Sequence, residues 1–79
     1  MMSKDHFLKM LPRYYYLVEA GIKTFEVVKN DRAYNVGDII HFGEYSGGQY
    51  TGRSIIKTIC YILDNPEYCK EGFVILGIK

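Results

Sequence analysis

The sequence has few of the residue types that mark specialised protein classes. It contains no tryptophan and only two cysteines, Cys60 and Cys69, with no CxxC pair. Two isolated cysteines favour reduced, unpaired thiols over a disulfide framework. A zinc site would also need His6 and His41, and their spacing does not match that of zinc ligands. We therefore expect no metal centre and no cofactor.

A large charge excess and a long apolar run are missing as well. Ten basic and nine acidic residues leave a formal charge of +1, which excludes a polybasic protein whose binding depends on charge alone. No apolar run approaches the roughly 18 residues of a membrane span, and Met1–Pro12 lacks the apolar centre of a signal peptide. The expected protein is cytoplasmic and has no membrane partner.

The common catalytic motifs are also absent: there is no glycine-rich phosphate loop, GxSxG elbow or HExxH pair. What is present is an ordinary globular composition, 48% hydrophobic and 24% charged, in 79 residues. That length predicts a single domain spanning residues 1–79, with a thin core.

Hydrophobic periodicity predicts one principal helix and about five strands. The helix runs from Pro12 to Ala20, because proline suits the first helical turn and Gly21 suits the position after the last. The predicted strands are Asp5–Met10, Thr24–Lys29, Ile39–Tyr45, Ile55–Leu63 and Phe73–Ile78. One helix with several strands joined by short turns indicates an α+β domain built on a small curled sheet or barrel.

The eight tyrosines are the most unusual feature of the composition. In a thin core, tyrosine fills volume while its hydroxyl stays at the rim. The helical spacing of Leu11, Tyr14, Tyr15 and Val18 predicts a buried stripe, and Tyr61 is predicted to be buried in a strand. The tyrosines in loops and at strand ends are candidates for stacking platforms: Tyr34, Tyr45 and Tyr50.

The segment Gly21–Arg32 gathers polar side chains around one strand and the following turn. If Phe25 and Val27 face the core, strand alternation turns Glu26 toward a groove or solvent. One interpretation is a half-exposed strand with surface charges. The other is a polar cleft in which Lys23 and Glu26 form an ion pair that recognises a ligand or moves a proton.

A second candidate segment is Tyr50–Arg53. Gly52 permits a β-bulge or a close backbone approach. In a binding site, Arg53 would contact a phosphate and Tyr50 would stack on a base. The alternative is a turn glycine beside a solvated arginine.

These segments, taken together in their order, resemble a known family. The residues that carry the resemblance are His6, Leu8, Lys9, Pro12, Gly21, Lys23–Glu26, Lys29–Arg32, Val36–Asp38, Tyr50–Arg53 and Gly72–Ile78. They are similar to the ASCH (activating signal cointegrator homology) domains of the PUA-like superfamily, and most of all to a compact bacterial and phage group of unknown function. The resemblance implies a PUA-like β-barrel with a cleft between barrel and helix that binds RNA or a nucleotide.

The sequence departs from the ASCH pattern Gly-x-Lys-x-x-Glu-x-Arg at one position. Gly21, Lys23 and Glu26 match, but Val28 replaces the arginine, which removes the group best suited to a bidentate phosphate contact. Some ASCH proteins resemble hydrolases of acylated nucleosides that use a lysine, a threonine and a distant glutamate. Lys23 matches that lysine, whereas Glu26 stands in place of the threonine, so the activity is not transferred.

Three functions remain open at the level of the sequence. The first is a small RNA-binding module, in which Lys and Arg contact phosphates and Glu26 accepts from a base or ribose hydroxyl. Its expected site residues are Lys23, Glu26, Lys29, Asn30 and Arg32, with Tyr50 and Arg53 at the edge. The second is a small hydrolase of a modified nucleoside or RNA, with Lys23 and Glu26 handling protons. The third is a regulatory module that binds a protein partner.

Overall fold

A computed structural model describes residues 3–79. Met1 and Met2, at the start of the segment Met1–Pro12 that was predicted to lack the apolar centre of a signal peptide, lie outside the described residues. The elements are β1 (Asp5–Met10), α1 (Pro12–Glu19), β2 (Phe25–Lys29), β3 (Ile39–Ser46), β4 (Gln49–Leu63) and β5 (Phe73–Ile78). This confirms the predicted α+β class with one helix and five strands. The main difference is β4, which begins at Gln49 rather than Ile55. Within residues 3–79, no helix is long and apolar enough to cross a membrane.

The five strands form one mixed sheet in the order β1-β3-β4-β5-β2. β1 runs parallel to β3, and every other pairing is antiparallel. The edge strands are therefore β1 and β2, which lie at opposite ends of the sheet. α1 packs against β3 near the centre of the sheet.

The core lies on the face of the sheet that α1 covers. Buried and less buried residues alternate along β3 and β5, as expected for strands with one face on the core. β1 alternates in the same way, since His6 is buried and Phe7 is exposed. The buried apolar residues are Met10, Tyr15, Val18, Ile40, Phe42, Ile59, Val74, Leu76 and Ile78.

Three predicted core residues are exposed instead. Leu11 and Tyr14 are exposed because α1 has only eight residues and touches the sheet along a narrow strip, where Tyr15 and Val18 take the buried positions. Tyr61 is exposed because the register of β4 shifts between Ile59 and Tyr61. Such an irregularity reverses the alternation of faces beyond it.

A buried hydrogen-bond network joins β1 to the turn before β3. His6 Nε2 lies 2.8 Å from Asp38 Oδ2, and the same carboxylate accepts from the backbone N–H groups of Lys4 (3.1 Å) and Asn35 (3.0 Å). Burial works against the charged form of Asp38, but the donors from His6, Lys4 and Asn35 outweigh it and lower the pKa of the carboxyl. His6 is therefore part of the structural core.

Of the conformations that Gly52 was expected to permit, the structure has the β-bulge. The pairs Gly43–Ser54 and Tyr45–Tyr50 place three residues of β4 opposite the single residue Glu44 of β3. Gly52 has a φ of +98°, which a residue with a side chain adopts only under strain. Arg53 follows in the interior of β4, which extends six residues before the predicted start at Ile55.

We expect Gly52→Ala to lower the free energy of unfolding by about 1–2 kcal/mol, because alanine is strained at this φ. Urea denaturation monitored by circular dichroism measures the change. Ser54→Ala is the control, since this exposed position on the same strand is expected to change stability by less than about 0.5 kcal/mol. Equal stabilities of the two variants would contradict the assigned bulge geometry.

Candidate functional site

A surface pocket of about 300 Å³ lies between α1 and the edge strand β2. It is lined by Tyr14, Lys23, Phe25, Glu26 and Val27, and these five residues are called the cleft below. Tyr14 comes from the helix and the others from the strand and the residues before it. The cleft therefore unites the two residues that the sequence singled out as a pair, Lys23 and Glu26, with two aromatic rings.

Lys23 is the centre of the cleft. Its ammonium donates a hydrogen bond to the Glu26 carboxylate and lies 5.4 Å and 5.0 Å from the ring centroids of Tyr14 and Phe25. The backbone N–H of Lys23 donates to the carbonyl of Leu17, which ties this segment to the end of α1. Partial burial lowers the pKa of Lys23, while the adjacent carboxylate favours the charged form. The predicted Lys23–Glu26 ion pair is therefore present, while its role in recognising a ligand or moving a proton stays a prediction.

The two faces of β2 are assigned by its pairing with β5. Glu26 lies opposite Leu76 and Val28 opposite Val74; because directly opposed residues share a face, Glu26 and Val28 point to the core side. Phe25 and Val27 are 47% and 54% exposed. Phe25 and Val27 therefore do not face the core, and Glu26 does not point away from it.

Val28 occupies the position where the ASCH pattern has arginine. It packs against the buried cluster, so the chain uses this position for the core rather than for a charged contact in the cleft.

Lys29 and Asn30 lie at the other end of β2 from Lys23. Lys29 is exposed and pairs with Phe73 of β5. The backbone N–H of Asn30 donates to Gly72 at 2.8 Å, and Asn30 lines a separate pocket of about 590 Å³ beside the segment 64–74. Neither residue lines the cleft, so this part of the predicted site is not assembled there.

Arg32 reaches the opposite edge of the sheet. Its Nη1 donates to the backbone carbonyl of Phe7 on β1 at 3.1 Å, and its Nε lies 3.6 Å from Asp31 Oδ1. It does not line the cleft either.

Arg53 belongs to a polar cluster under α1 and not to the cleft. Its Nη2 donates to Glu19 Oε1 at 2.7 Å, and its guanidinium lies 5.1 Å from the ring centroid of Tyr15. Its Nη1 is 3.8 Å from Glu44, whose other oxygen accepts from the Thr51 hydroxyl at 2.7 Å. The hydrogen bond to Glu19 raises the pKa of Arg53. The guanidinium is already engaged by carboxylates.

Tyr50 lies on the other side of the sheet from Arg53. With Phe7, Leu8, His41, Gly43 and Ser54 it lines a pocket of about 210 Å³. The two predicted partners are separated because they are three residues apart on β4, and strand alternation turns residues at that spacing to opposite faces.

The pocket around Tyr50 includes two aromatic residues that were not predicted as site residues. Phe7 and His41 stack with their ring centroids 4.5 Å apart and an interplanar angle of 14°. They meet because β1 pairs with β3 in parallel, which places Phe7 opposite His41. Alternation along β1 separates Phe7 from His6, but no local signal indicates which strand lies beside Phe7.

No cluster of three or more potential metal ligands occurs among residues 3–79. The thiols of Cys60 and Cys69 are both free, as predicted.

The sequence matches a family profile described as a domain of unknown function, DUF3850, over residues 5–78. It is also similar to a protein of Escherichia phage P2 described as an uncharacterized 12.9 kDa protein in the GpA 3′ region. The two are 36% identical over 76 residues, which cover 96% of this chain and 69% of the phage protein. The chain belongs to the DUF3850 family.

Proposed function

We propose that this protein binds single-stranded RNA, with one nucleotide held in the cleft. The observation that carries the proposal is the combination of a cation, a carboxylate and two accessible aromatic rings in one pocket. Single-stranded RNA presents unstacked bases that stack on aromatic side chains and hydrogen-bond through their edges. The cleft supplies a group for each of these contacts and a cation for the phosphate.

Each residue of the cleft has a role in this proposal. Phe25 and Tyr14 offer faces for stacking, and the Glu26 carboxylate accepts from an amino group of the base or from a ribose hydroxyl. The Lys23 ammonium contacts a phosphate, which partly replaces Glu26 as its anionic partner. Residues 1–32, which contain the cleft, have six basic and four acidic side chains, so the field there favours an anionic ligand.

We also propose that the domain is an ASCH-like member of the PUA-like superfamily, with a sheet that curls toward a barrel. The support comes from contacts between the segment after β2 and the opposite edge strand β1. Arg32 donates to the carbonyl of Phe7, and the rings of Tyr34 and His6 lie 4.7 Å apart. These contacts link the segment that follows one edge strand to the other edge strand, which supports a curled sheet.

Phe25→Leu is expected to weaken RNA binding about tenfold, since a stacked base contributes 1–3 kcal/mol and leucine keeps only apolar contact. The measurement is fluorescence anisotropy of a labelled mixed-sequence single-stranded RNA, titrated with protein at low and at physiological salt. Affinity is expected to fall as salt rises, because phosphate contacts release counterions. Lys23→Ala is expected to weaken binding and to reduce this salt dependence.

Tyr68→Leu is the matched control, because Tyr68 is an exposed aromatic residue outside the cleft. Equal affinities of wild type, Tyr68→Leu and Phe25→Leu, or binding that is insensitive to salt, would overturn the cleft as the RNA site.

A further inference from the structure

The outer face of the sheet has a second aromatic pocket, which we call the slot and define by Phe7, His41, Gly43, Tyr50 and Ser54. It lies where β1, β3 and the start of β4 run side by side. Phe7 and Tyr50 are 65% and 58% exposed. Two large rings are thus presented to solvent around a space of about 210 Å³.

One side of the slot is built by Tyr50. A Cβ at position 43 would lie only 2.9 Å and 3.0 Å from ring carbons Cε1 and Cδ1 of Tyr50. Glycine at this position is therefore what allows the ring to lie across β3. The ring is also held edge-to-face by Tyr45, with centroids 5.1 Å apart and planes at 82°. This side of the slot is ordered before any ligand arrives.

The other side of the slot is the stack of Phe7 on His41. The imidazole is oriented by Asp5, whose Oδ2 lies 3.1 Å from His41 Nε2. Two nearly parallel rings held in this way form a flat surface with accessible π faces. The side-chain hydroxyl of Ser54, in the lining of the slot, offers a hydrogen bond to the edge of a flat ligand.

The charges around the slot favour an anionic ligand. Lys9 lies beside it, with its ammonium 4.5 Å from the ring centroid of Tyr45, and Arg32 is bound to the backbone carbonyl of Phe7. The nearby carboxylates are engaged, Asp5 with His41 and Asp31 with Arg32. A flat aromatic ligand attached to an anionic backbone matches this combination of rings and cations.

We infer that the slot binds a base of single-stranded RNA between Tyr50 and the Phe7–His41 stack, with Lys9 near the adjoining phosphate. This inference rests on the proposed function, since it assigns the same class of ligand to a second surface. It also explains why large rings remain exposed on this face of so small a domain.

A ¹⁵N–¹H NMR titration with a short mixed-sequence single-stranded RNA tests the inference. Wild-type shifts are expected around both the slot and the cleft. Phe7→Leu and Tyr50→Leu are each expected to lower affinity about tenfold, while the shifts of the cleft residues persist. Ile56→Leu is the matched control, because Ile56 is exposed opposite His41 but does not line the slot.

Gly43→Ala provides a second variant that removes no ring. It is expected to displace the ring of Tyr50 and therefore to weaken RNA binding, as Tyr50→Leu does. Its NMR spectrum is expected to keep the signal dispersion of a folded protein.

The outcomes separate the two proposals. If the slot variants bind as wild type does while Phe25→Leu is impaired, the slot is overturned and the cleft stands. If the slot variants are impaired and Phe25→Leu is not, the slot stands and the cleft is overturned. If RNA shifts no resonance of the wild type, the cleft and the slot are both overturned as RNA sites. The exposed rings would then be better explained by contact with a protein partner.

Discussion

Asp38→Ala is expected to lower the free energy of unfolding by about 3–5 kcal/mol, because it removes a carboxylate that accepts three hydrogen bonds and a hydrogen bond to a charged group contributes about 1.5–3 kcal/mol. Asp38 is 3% exposed and is the common acceptor for His6 and for two backbone N–H groups. Alanine would leave the buried His6 ring without this acceptor and would remove the acceptor of the two partly buried backbone N–H groups. A domain of this size has only about 4–12 kcal/mol of stability in total, so much of the protein would unfold. Urea denaturation of the variant measures the loss.

Asp31→Ala is the control for that experiment. Asp31 is an exposed carboxylate whose contact with Arg32 is 3.6 Å long, and exposed pairs of this kind contribute less than about 1 kcal/mol. Asp38→Asn keeps one acceptor oxygen and should fall between the two. A loss below about 1 kcal/mol for Asp38→Ala would show that the network does not hold β1 to the turn.

The same carboxylate makes stability depend on pH. Because the pKa of Asp38 is lower in the folded protein than its usual value of about 3.9, the unfolded chain takes up the proton more readily. Its contribution to stability is therefore complete well above pH 4 and is lost as the pH falls through the folded-state pKa. The wild type is expected to lose stability over this acidic range more steeply than Asp38→Ala.

The sequence was sufficient to predict the features that depend on neighbours along the chain. The helix start at Pro12 and the strands β1, β3 and β5 follow from local periodicity and from the conformation of proline. At Gly52 the sequence indicated a special backbone conformation and left open which one. The Lys23–Glu26 pair was also predictable, because its members are three residues apart. These parts of the fold need no knowledge of which strands lie side by side.

The features that were not predicted depend on contacts between distant segments. Alternation divides β2 into two faces, but only its pairing with β5 shows that Glu26 and Val28 form the inner one. In the same way, the parallel pairing of β1 with β3 brings Phe7 onto His41. Most of the predicted site was scattered for this reason, because strand order decides which residues lie side by side. Tyr50 and Arg53 are the exception, since alternation along one strand already places residues three apart on opposite faces.

Tyr15→Ala is the second change expected to have a large effect, also about 3–5 kcal/mol of the free energy of unfolding. Tyr15 is 1% exposed and, with Val18, is all that α1 buries. A helix of eight residues is not stable in water without tertiary contacts, and Leu11 at its start makes no side-chain capping hydrogen bond. Removing the tyrosine therefore leaves a large cavity and releases the helix that forms one wall of the cleft. Thermal and urea denaturation measure the effect.

The two neighbouring tyrosines separate this structural role from binding. Tyr16 is 61% exposed, so Tyr16→Ala should change neither stability nor RNA affinity by much. Tyr14 lines the cleft and is 39% exposed, so Tyr14→Ala should leave the protein folded while weakening RNA binding. If Tyr14→Ala instead destabilised the fold as strongly as Tyr15→Ala, the ring of Tyr14 would belong to the core and the cleft would lose one of its two stacking surfaces. Three consecutive residues of one type thus test whether the helix serves the fold, the ligand or both.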